Sequence, residues 1–359
     1  MTATITEPAI PGVDLAPEAH VVLPAGDMWD KEFRALWLAE RQKGLGGSDL
    51  AKLLGFVTNQ GPWTVWVDKH GRGKDYDTEA LEFGREMEEP IARVFSRRTG
   101  IPLLNPPGMY VNTERPWMVG NVDRLALDRD TGEVIGPVEC KNRHEFLLKD
   151  WEQGEAPDGP AIQTMWYEAV GGWRTGYAAA CVGGNKLRWH EVPRREDLIQ
   201  HLVEWAGDWW QRHVVEGEEP PPDGLPGTKD VLAHLWDVDS KGVAEVAVEQ
   251  ARNLRHRRKA LKAAVKRAEH RLDEIDNTMR LLTREKAVAQ TPGKKVAWTW
   301  KQTGQLDEAE LRRKYPALVE EFTETRTVRV LNVDAFKAAH EAEYTACRAR
   351  RLYVPAKEI

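Results

Sequence analysis

A change in apolar spacing near Gly100 limits the folds open to this chain. Before it, Glu79 to Arg98 carries apolar residues every three or four positions, as in a helix with one buried face. After it, apolar and polar residues alternate, as in half-buried strands. The alternation predicts strands at 109–111, 117–123, 134–141, 175–182 and 187–192, with helices at 161–171 and 194–215. This order predicts an α/β fold, a mixed central sheet flanked by helices.

Shifts in composition divide the chain further. The clearest break is at 218–224, where three consecutive prolines follow two glutamates. We predict five parts, in chain order: a flexible N-terminal arm (1–28), the α/β domain (29–217), a proline-rich linker (218–239), a long basic amphipathic helix (240–290) and a small C-terminal α/β extension (291–359).

The predicted long helix has two open interpretations. From Leu254 to Leu282, apolar residues follow 3-4 spacing over about four heptads, which predicts packing against another helix. Residues 249–286 carry 12 Lys or Arg against 6 Asp or Glu, although the whole chain has a net charge of −6. This local positive charge indicates either a solvent-exposed helix face or a basic segment that binds nucleic acid or a partner.

Composition also excludes several classes of protein. No apolar run approaches the roughly 18 residues of a membrane span. The N-terminus lacks the basic and apolar regions of a secretory signal. The three cysteines, Cys140, Cys181 and Cys347, are too few and too far apart for a four-cysteine metal site or a disulfide framework. We therefore expect a reduced, cytoplasmic protein with no membrane partner.

Two acids and a lysine form the most informative group. Asp123 lies on one predicted strand, and Glu139 and Lys141 lie two residues apart on the next, on the same face. Carboxylates suit Mg²⁺ or Mn²⁺, and a neighbouring lysine can stabilise developing negative charge. The group predicts metal-assisted phosphodiester hydrolysis. From these residues alone, an ion-paired surface remains the alternative.

Four further residues are candidates for the same site. Glu88 borders the apolar stripe of the predicted helix from Glu79 to Arg98, and Gln163, on the predicted helix 161–171, could orient a water molecule. Ser48 begins a short helix after two glycines, where free N–H groups and a hydroxyl suit a phosphate. Arg41 could add a guanidinium. The ordinary alternatives are a solvated acid, a solvated glutamine and a plain helix cap.

In their order along the chain, these motifs resemble a known family. They are Arg41 with Gly44–Asp49, Pro62–Trp66 with Lys69–Gly71, Gly84 with Glu88, Asn121–Asp123, Glu139–Lys141 and Gln163. Over about residues 30–217 they resemble the YqaJ-like viral recombinase family, grouped with lambda-type phage exonucleases in the PD-(D/E)xK nuclease superfamily. The chain departs from the pattern at Arg124, where glycine is common, and at Met165–Trp166, where a second glutamine and a histidine are common.

The resemblance implies a restriction-endonuclease-like core over 29–217 and a role for each of seven residues. Asp123, Glu139 and Glu88 would bind Mg²⁺ or Mn²⁺, as two ions; Lys141 and Gln163 would complete the catalytic group; Arg41 and Ser48 would hold the 5′-terminal phosphate of DNA.

The function implied by the resemblance is a metal-dependent DNA exonuclease. It would degrade linear duplex DNA from 5′ to 3′ and leave single-strand overhangs for phage homologous recombination. Implied partners are duplex ends, a single-strand annealing recombinase and further copies of the chain in a homo-oligomer, in the cytoplasm of a bacterial host. The alternatives are an endonuclease of the same superfamily and an inactive DNA-binding scaffold.

Overall fold

The chain forms two compact units. The computed structural model describes residues 15–73, 78–236, 242–301, 306–324 and 329–346. The first unit is Met1–Asp237 and the second is Val238–Ile359. Within the described ranges, no helix is long and apolar enough to cross a membrane.

The first unit holds both the helices and the strands expected from the sequence. In chain order they are β1 (Ala19–Pro24), α1 (Lys31–Gln42), α2 (Gly47–Leu53), α3 (Pro62–Lys69), α4 (Glu79–Thr99), β2 (Leu103–Leu104), β3 (Gly108–Asn112), β4 (Val119–Gly120), β5 (Arg124–Leu127), β6 (Val134–Arg143), α5 (Asp158–Gly171), β7 (Thr175–Val182), β8 (Lys186–Pro193), α6 (Glu196–Trp210) and α7 (Pro226–His234). A π-helical turn, Gln211–Val215, extends α6.

The central sheet has five strands in the order β2-β5-β6-β7-β8. β6 and β7 are parallel and joined through α5, whereas the other neighbouring pairs are antiparallel. Successive residues of β7 point to opposite faces of the sheet and enter different cores. Ala179 belongs to the core that contains Phe95 of α4, and Ala180 to the core that contains Trp166 of α5. Helices therefore cover both faces of the sheet. The predicted α/β class, a mixed central sheet flanked by helices, is confirmed.

A second, antiparallel sheet has the order β1-β3-β4. Its first strand lies inside the predicted flexible arm, so that prediction is wrong for residues 19–24, while residues 1–14 lie outside the described part of the chain. The run Val21-Val22-Leu23 is short but has high strand propensity, and it pairs with β3. The indole of Trp166 joins this sheet to the loop before α2, donating to the carbonyls of Leu45 (3.0 Å) and Val119 (3.1 Å).

The predicted linker also contains ordered structure. α7 begins with Pro226 in its first turn, where the missing N–H costs little. It packs against α3, and Thr228 is buried. Arg72 donates a hydrogen bond to the carbonyl of Leu235 (3.0 Å). Residues 226–235 therefore belong to the first unit, because apolar side chains of α7 contribute to its core.

The second unit begins with the predicted long helix. α8 spans Val248–Thr283 and is followed by the antiparallel pair β9 (Val288–Gln290) and β10 (Val296–Thr299). The described residues after β10 include four short helices: α9 (Glu308–Lys314), α10 (Pro316–Glu321), α11 (Val333–Ala339) and α12 (Glu341–Ala346). The indole of Trp298 donates to the Thr283 hydroxyl (2.7 Å), which fixes β10 against the end of α8.

Candidate active site

The seven residues singled out in the sequence line one cleft of the first unit, of about 780 Å³. They are Arg41, Ser48, Glu88, Asp123, Glu139, Lys141 and Gln163. They come from α1, α2, α4, α5, β6 and the residue before β5. The fold thus brings together residues separated by up to 122 positions in the chain.

β6 supplies the acid and the lysine at the centre of the cleft. Glu139 and Lys141 share a strand face, as the period of two predicts, and Cys140 between them points into the core on the α4 side. The Lys141 ammonium pairs with Oε1 of Glu139. Glu139 is only 2% exposed, and its Oε2 accepts no hydrogen bond within the described residues. One buried carboxylate oxygen is therefore left for another ligand.

Asp123 reaches the same place by a different route from the one predicted. It is not on a strand, but in the short crossing from β4 of the second sheet to β5 of the central sheet. β5 pairs with β6, and Arg124 lies opposite Val138. Asp123 is therefore held beside β6, where its Oδ2 accepts a hydrogen bond from the backbone N–H of Cys140 (2.7 Å).

Arg124 fits the crossing without a left-handed backbone. Within the described residues, positive φ outside glycine occurs only at Arg284 and Lys294. The Arg124 guanidinium forms an ion pair with Glu89 of α4 (2.8 Å). The departure from glycine at this position therefore ties α4 to the edge of the site.

The acids of the cleft have raised pKa values, because they are buried and because they lie close to one another. Burial is the main cause, and the negative charges of Asp123 and Glu139 add to it, so that the pKa of Glu88 rises to about 8. Burial and the charge of Asp123 raise the pKa of Glu139 to about 7. Burial also raises the pKa of Asp123, against the opposing effects of Lys141 and the Cys140 N–H. Such repulsion between carboxylates is what a bound cation relieves.

The donors in the cleft fit a hard divalent cation. No set of three or more His, Cys, Asp or Glu in the described ranges is arranged to enclose a metal. Mg²⁺, however, usually takes only one or two protein carboxylates and keeps several waters. Asp123 and the unpartnered Oε2 of Glu139 can supply those ligands, and Glu88 lines the same cleft. All-oxygen donors suit Mg²⁺ or Mn²⁺ better than thiolate-seeking metals.

At another part of the cleft, Arg41 and Ser48 are in contact. The Arg41 Nη2 atom donates to the Ser48 hydroxyl (3.0 Å) and to Oδ1 of Asp49 (3.2 Å). The guanidinium also lies over the Trp37 ring, 5.3 Å from its centre. These contacts hold a cation and a hydroxyl together beside the helix start at Gly46, the pairing expected for a phosphate site.

Behind this pair is a buried ionic cluster to which the sequence reasoning gave no role. Asp49 is completely buried, and its Oδ2 lies 2.7 Å from the ammonium of Lys69, which is also buried. Lys52 lies 4.0 Å from Oδ1. Despite burial, these cations hold the pKa of Asp49 well below its usual range. The available signal was Lys69 itself, two residues after the mostly apolar run Trp63–Val67.

α2 and α5 pack closely where the two parts of the cleft meet. Gln163 is buried, and its side-chain amide donates to the Tyr167 hydroxyl (3.0 Å). A Cβ on Gly47 would lie 2.7 Å from Cγ of Gln163 and 3.0 Å from its carbonyl oxygen. Glycine therefore allows the approach that brings Ser48 into the same cleft as Glu139.

Part of the chain that includes the cleft matches a known family. Residues 36–178 match the model of the YqaJ-like viral recombinase domain. The family resemblance predicted from the sequence is confirmed. The matched YqaJ-like domain runs from α1 to β7 and includes all seven cleft residues. A relative from Bacillus subtilis (strain 168), the uncharacterized protein YqaJ, is 26% identical over 290 residues, which cover 79% of this chain and 89% of the relative.

Two solved exonuclease structures are also similar in part. The alkaline exonuclease LHK-Exo from Laribacter hongkongensis has a TM-score of 0.43 at 13% identity, over 51% of this chain and 93% of that one. A phage-related exonuclease from Haemophilus somnus 129PT has a TM-score of 0.35 at 12% identity, over 49% of this chain and 96% of that one.

Proposed function

We propose that the first unit is a metal-dependent DNA exonuclease that hydrolyses linear duplex DNA from the 5′ end. The observation that carries the proposal is the grouping of Asp123, Glu139 and Lys141, with Arg41 and Ser48 in the same cleft. The match to the YqaJ-like viral recombinase domain over the same residues supports it. Generation of single strands for an annealing recombinase is the biological role that we propose.

Each residue has a separate task in the proposed reaction. Asp123 and Glu139 would hold the cation, together with Glu88, the third acid that lines the cleft. A bound Mg²⁺ or Mn²⁺ supplies Lewis-acid stabilisation of the phosphate and a lower pKa for water. Lys141 donates to the oxygen that gains negative charge as the phosphodiester is attacked. Gln163, fixed by Tyr167, orients the attacking water.

The polarity of the proposed reaction depends on Arg41 and Ser48. Their guanidinium and hydroxyl bind a terminal 5′-phosphate and place the next phosphodiester at Glu139 and Lys141. Asp49 fixes the guanidinium by an ion pair of 3.2 Å. Arg41→Ala is therefore expected to slow cleavage of 5′-phosphorylated ends more than cleavage of 5′-hydroxyl ends. An equal loss on both substrates would contradict the end-phosphate role.

A comparison of linear and closed circular duplex tests the proposal. Both DNAs are incubated with the protein and Mg²⁺, and a parallel sample contains Lys141→Ala. The expected result is loss of linear DNA with the circle intact, and no loss with the variant. Lys186→Ala is a matched control, because Lys186 is a partly exposed lysine paired with Glu145 and does not line the cleft.

Two other outcomes would replace the proposal. Nicking or linearising of the circle would make the chain an endonuclease of the same superfamily. Binding of both DNAs without cleavage, at any divalent metal, would favour an inactive scaffold. Chelation separates these cases, because phosphate contacts persist without metal and weaken with salt.

A further inference from the structure

α8 has an apolar face, interrupted by a charge at Arg258, that the described part of the chain leaves exposed. It is 36 residues long, about 54 Å, and its apolar residues repeat at alternating steps of three and four. We call this row of positions, from 254 to 275, the α8 seam; its large apolar residues are Leu254, Leu261, Val265, Leu272 and Ile275, each 55–66% exposed. A seam of this spacing over several heptads is typical of helices that pack into coiled coils.

The charges that flank the seam change sign halfway along the helix. One flank is formed by residues that each follow a seam position: Arg255, Lys262, Glu269 and Asp276. The first two are basic and the last two are acidic. More broadly, residues 248–267 carry eight basic and one acidic residue, whereas 268–283 carry four acidic and two basic. The helix is therefore complementary to itself when one copy is reversed.

In the reversed arrangement, each charged residue of the flank meets an opposite charge on the other copy. When two copies of α8 run antiparallel with the seams in register, Arg255 of one copy meets Asp276 of the other, and Lys262 meets Glu269. Twofold symmetry repeats both ion pairs, which gives four. Charges at these flanking positions set partner and orientation in coiled coils.

The other arrangements leave like charges together. In a parallel pair, Arg258, which occupies a seam position, would face its own copy, and Arg257 would meet Lys262. The attractive contact of Arg271 with Asp276 would stand beside these two repulsive ones, whereas the antiparallel flank has no repulsive contact. Duplex DNA laid along the helix would meet the acidic residues 268–283, which repel phosphates.

We propose that α8 forms an antiparallel two-helix coiled coil with α8 of a second copy of this chain. The seams of the two copies bury each other, and the four flanking ion pairs fix the register. The proposal concerns assembly through the second unit and is independent of the chemistry proposed for the first.

Two charge-reversed forms of the full chain test the proposal. The acidic form carries Arg255→Glu and Lys262→Glu, so that its whole flank is negative. The basic form carries Glu269→Lys and Asp276→Lys, so that its whole flank is positive. Molar mass is measured by light scattering after size exclusion, for each form alone and for their equimolar mixture. We expect the basic form alone to have half the wild-type mass, because its flank meets only like charges in either orientation, and the mixture to recover the wild-type mass.

A matched control separates the flank from overall charge. Lys259→Glu with Arg267→Glu makes the same charge change as the acidic form, on the side of α8 away from the seam. The wild-type mass is expected for this control. Leu261→Glu, which places a charge in the seam, should halve the mass, whatever its effect on the flank.

Three results would overturn the proposal. One is that the wild-type chain and Leu261→Glu have the same molar mass. The seam would then not hold two copies together, and its partner would be a different protein or DNA. Another is a mixture that stays at the mass of its components. The third is a basic form that alone keeps the wild-type mass, because its flank would carry only positive charge and the flank pairs could not then hold the two copies together.

Discussion

Replacement of Asp49 by asparagine tests whether the buried cluster holds Arg41 in place. Asparagine has nearly the same shape and keeps an oxygen that can accept the Gly46 N–H, now bound by Oδ2 at 3.0 Å. What is lost is the negative charge 2.7 Å from Lys69 and 3.2 Å from Arg41. Both cations then remain in the protein without their main counterion.

The expected loss of stability follows from burial. Removal of one partner from a buried ion pair costs about 3–5 kcal/mol, because the remaining charge stays desolvated. The Lys69 side chain is fully buried, but its ammonium keeps the carbonyl of Arg41 as an acceptor (2.9 Å). The Arg41 side chain is 24% exposed and can be partly solvated. We therefore expect the lower end of the range, about 3 kcal/mol.

Urea unfolding at pH 7 measures this loss, with Asp68→Asn as the matched control. Asp68 also lies near Lys69 (3.8 Å), but its side chain is 32% exposed. Its replacement should cost less than about 1 kcal/mol. Lys69→Met added to Asp49→Asn should restore part of the stability, because it removes the stranded charge. An Asp49→Asn variant as stable as Asp68→Asn would refute the reasoning.

Two further predictions concern stability around α5. Burial raises the pKa of Glu168 to about 8, and neither of its oxygens has a hydrogen-bond partner in the described ranges. The folded state therefore holds this proton more tightly than the unfolded state. The free energy of unfolding should fall by about 4 kcal/mol as pH rises from 4.5 to 8; a Glu168→Gln variant whose urea midpoints keep the full pH slope would contradict this. Gly47→Ala should cost about 1–3 kcal/mol and slow DNA cleavage, because its Cβ would meet Gln163 at 2.7 Å. In Gly84→Ala, where nothing lies within 4 Å, stability should be unchanged or higher, and an equal loss in both variants would count against the close packing.

The order of helices and strands in the first unit follows from local patterns. The stripe of α4 and the left-handed Gly100 that ends it (φ 75°) are readable from spacing and residue type. The common face of Glu139 and Lys141 follows from the period of a strand. These features depend on residues a few positions apart, which is why the sequence suffices for them.

The features that were missed depend on contacts between distant residues. The run Val119–Asp123 looks like one strand, yet the chain changes sheets within it, because β4 pairs with β3 and β5 pairs with β6. Asp49 reads as a helix-start residue, and only the fold brings Lys69 to it. β1 is too short to be distinguished from a loop until β3 is seen to pair with it.

The most direct test of the central claim is release of nucleotides from linear duplex DNA by wild type and Asp123→Asn. Asp128→Asn is the matched control, because Asp128 follows the far end of β5 and accepts bonds from the N–H groups of Asp130 and Thr131. With Mg²⁺, Asp123→Asn should be slower than wild type by at least about a hundredfold, with an unchanged melting transition. Asp128→Asn should keep the wild-type rate. Release by Asp123→Asn at the wild-type rate would contradict the assignment of this cleft as the nuclease site.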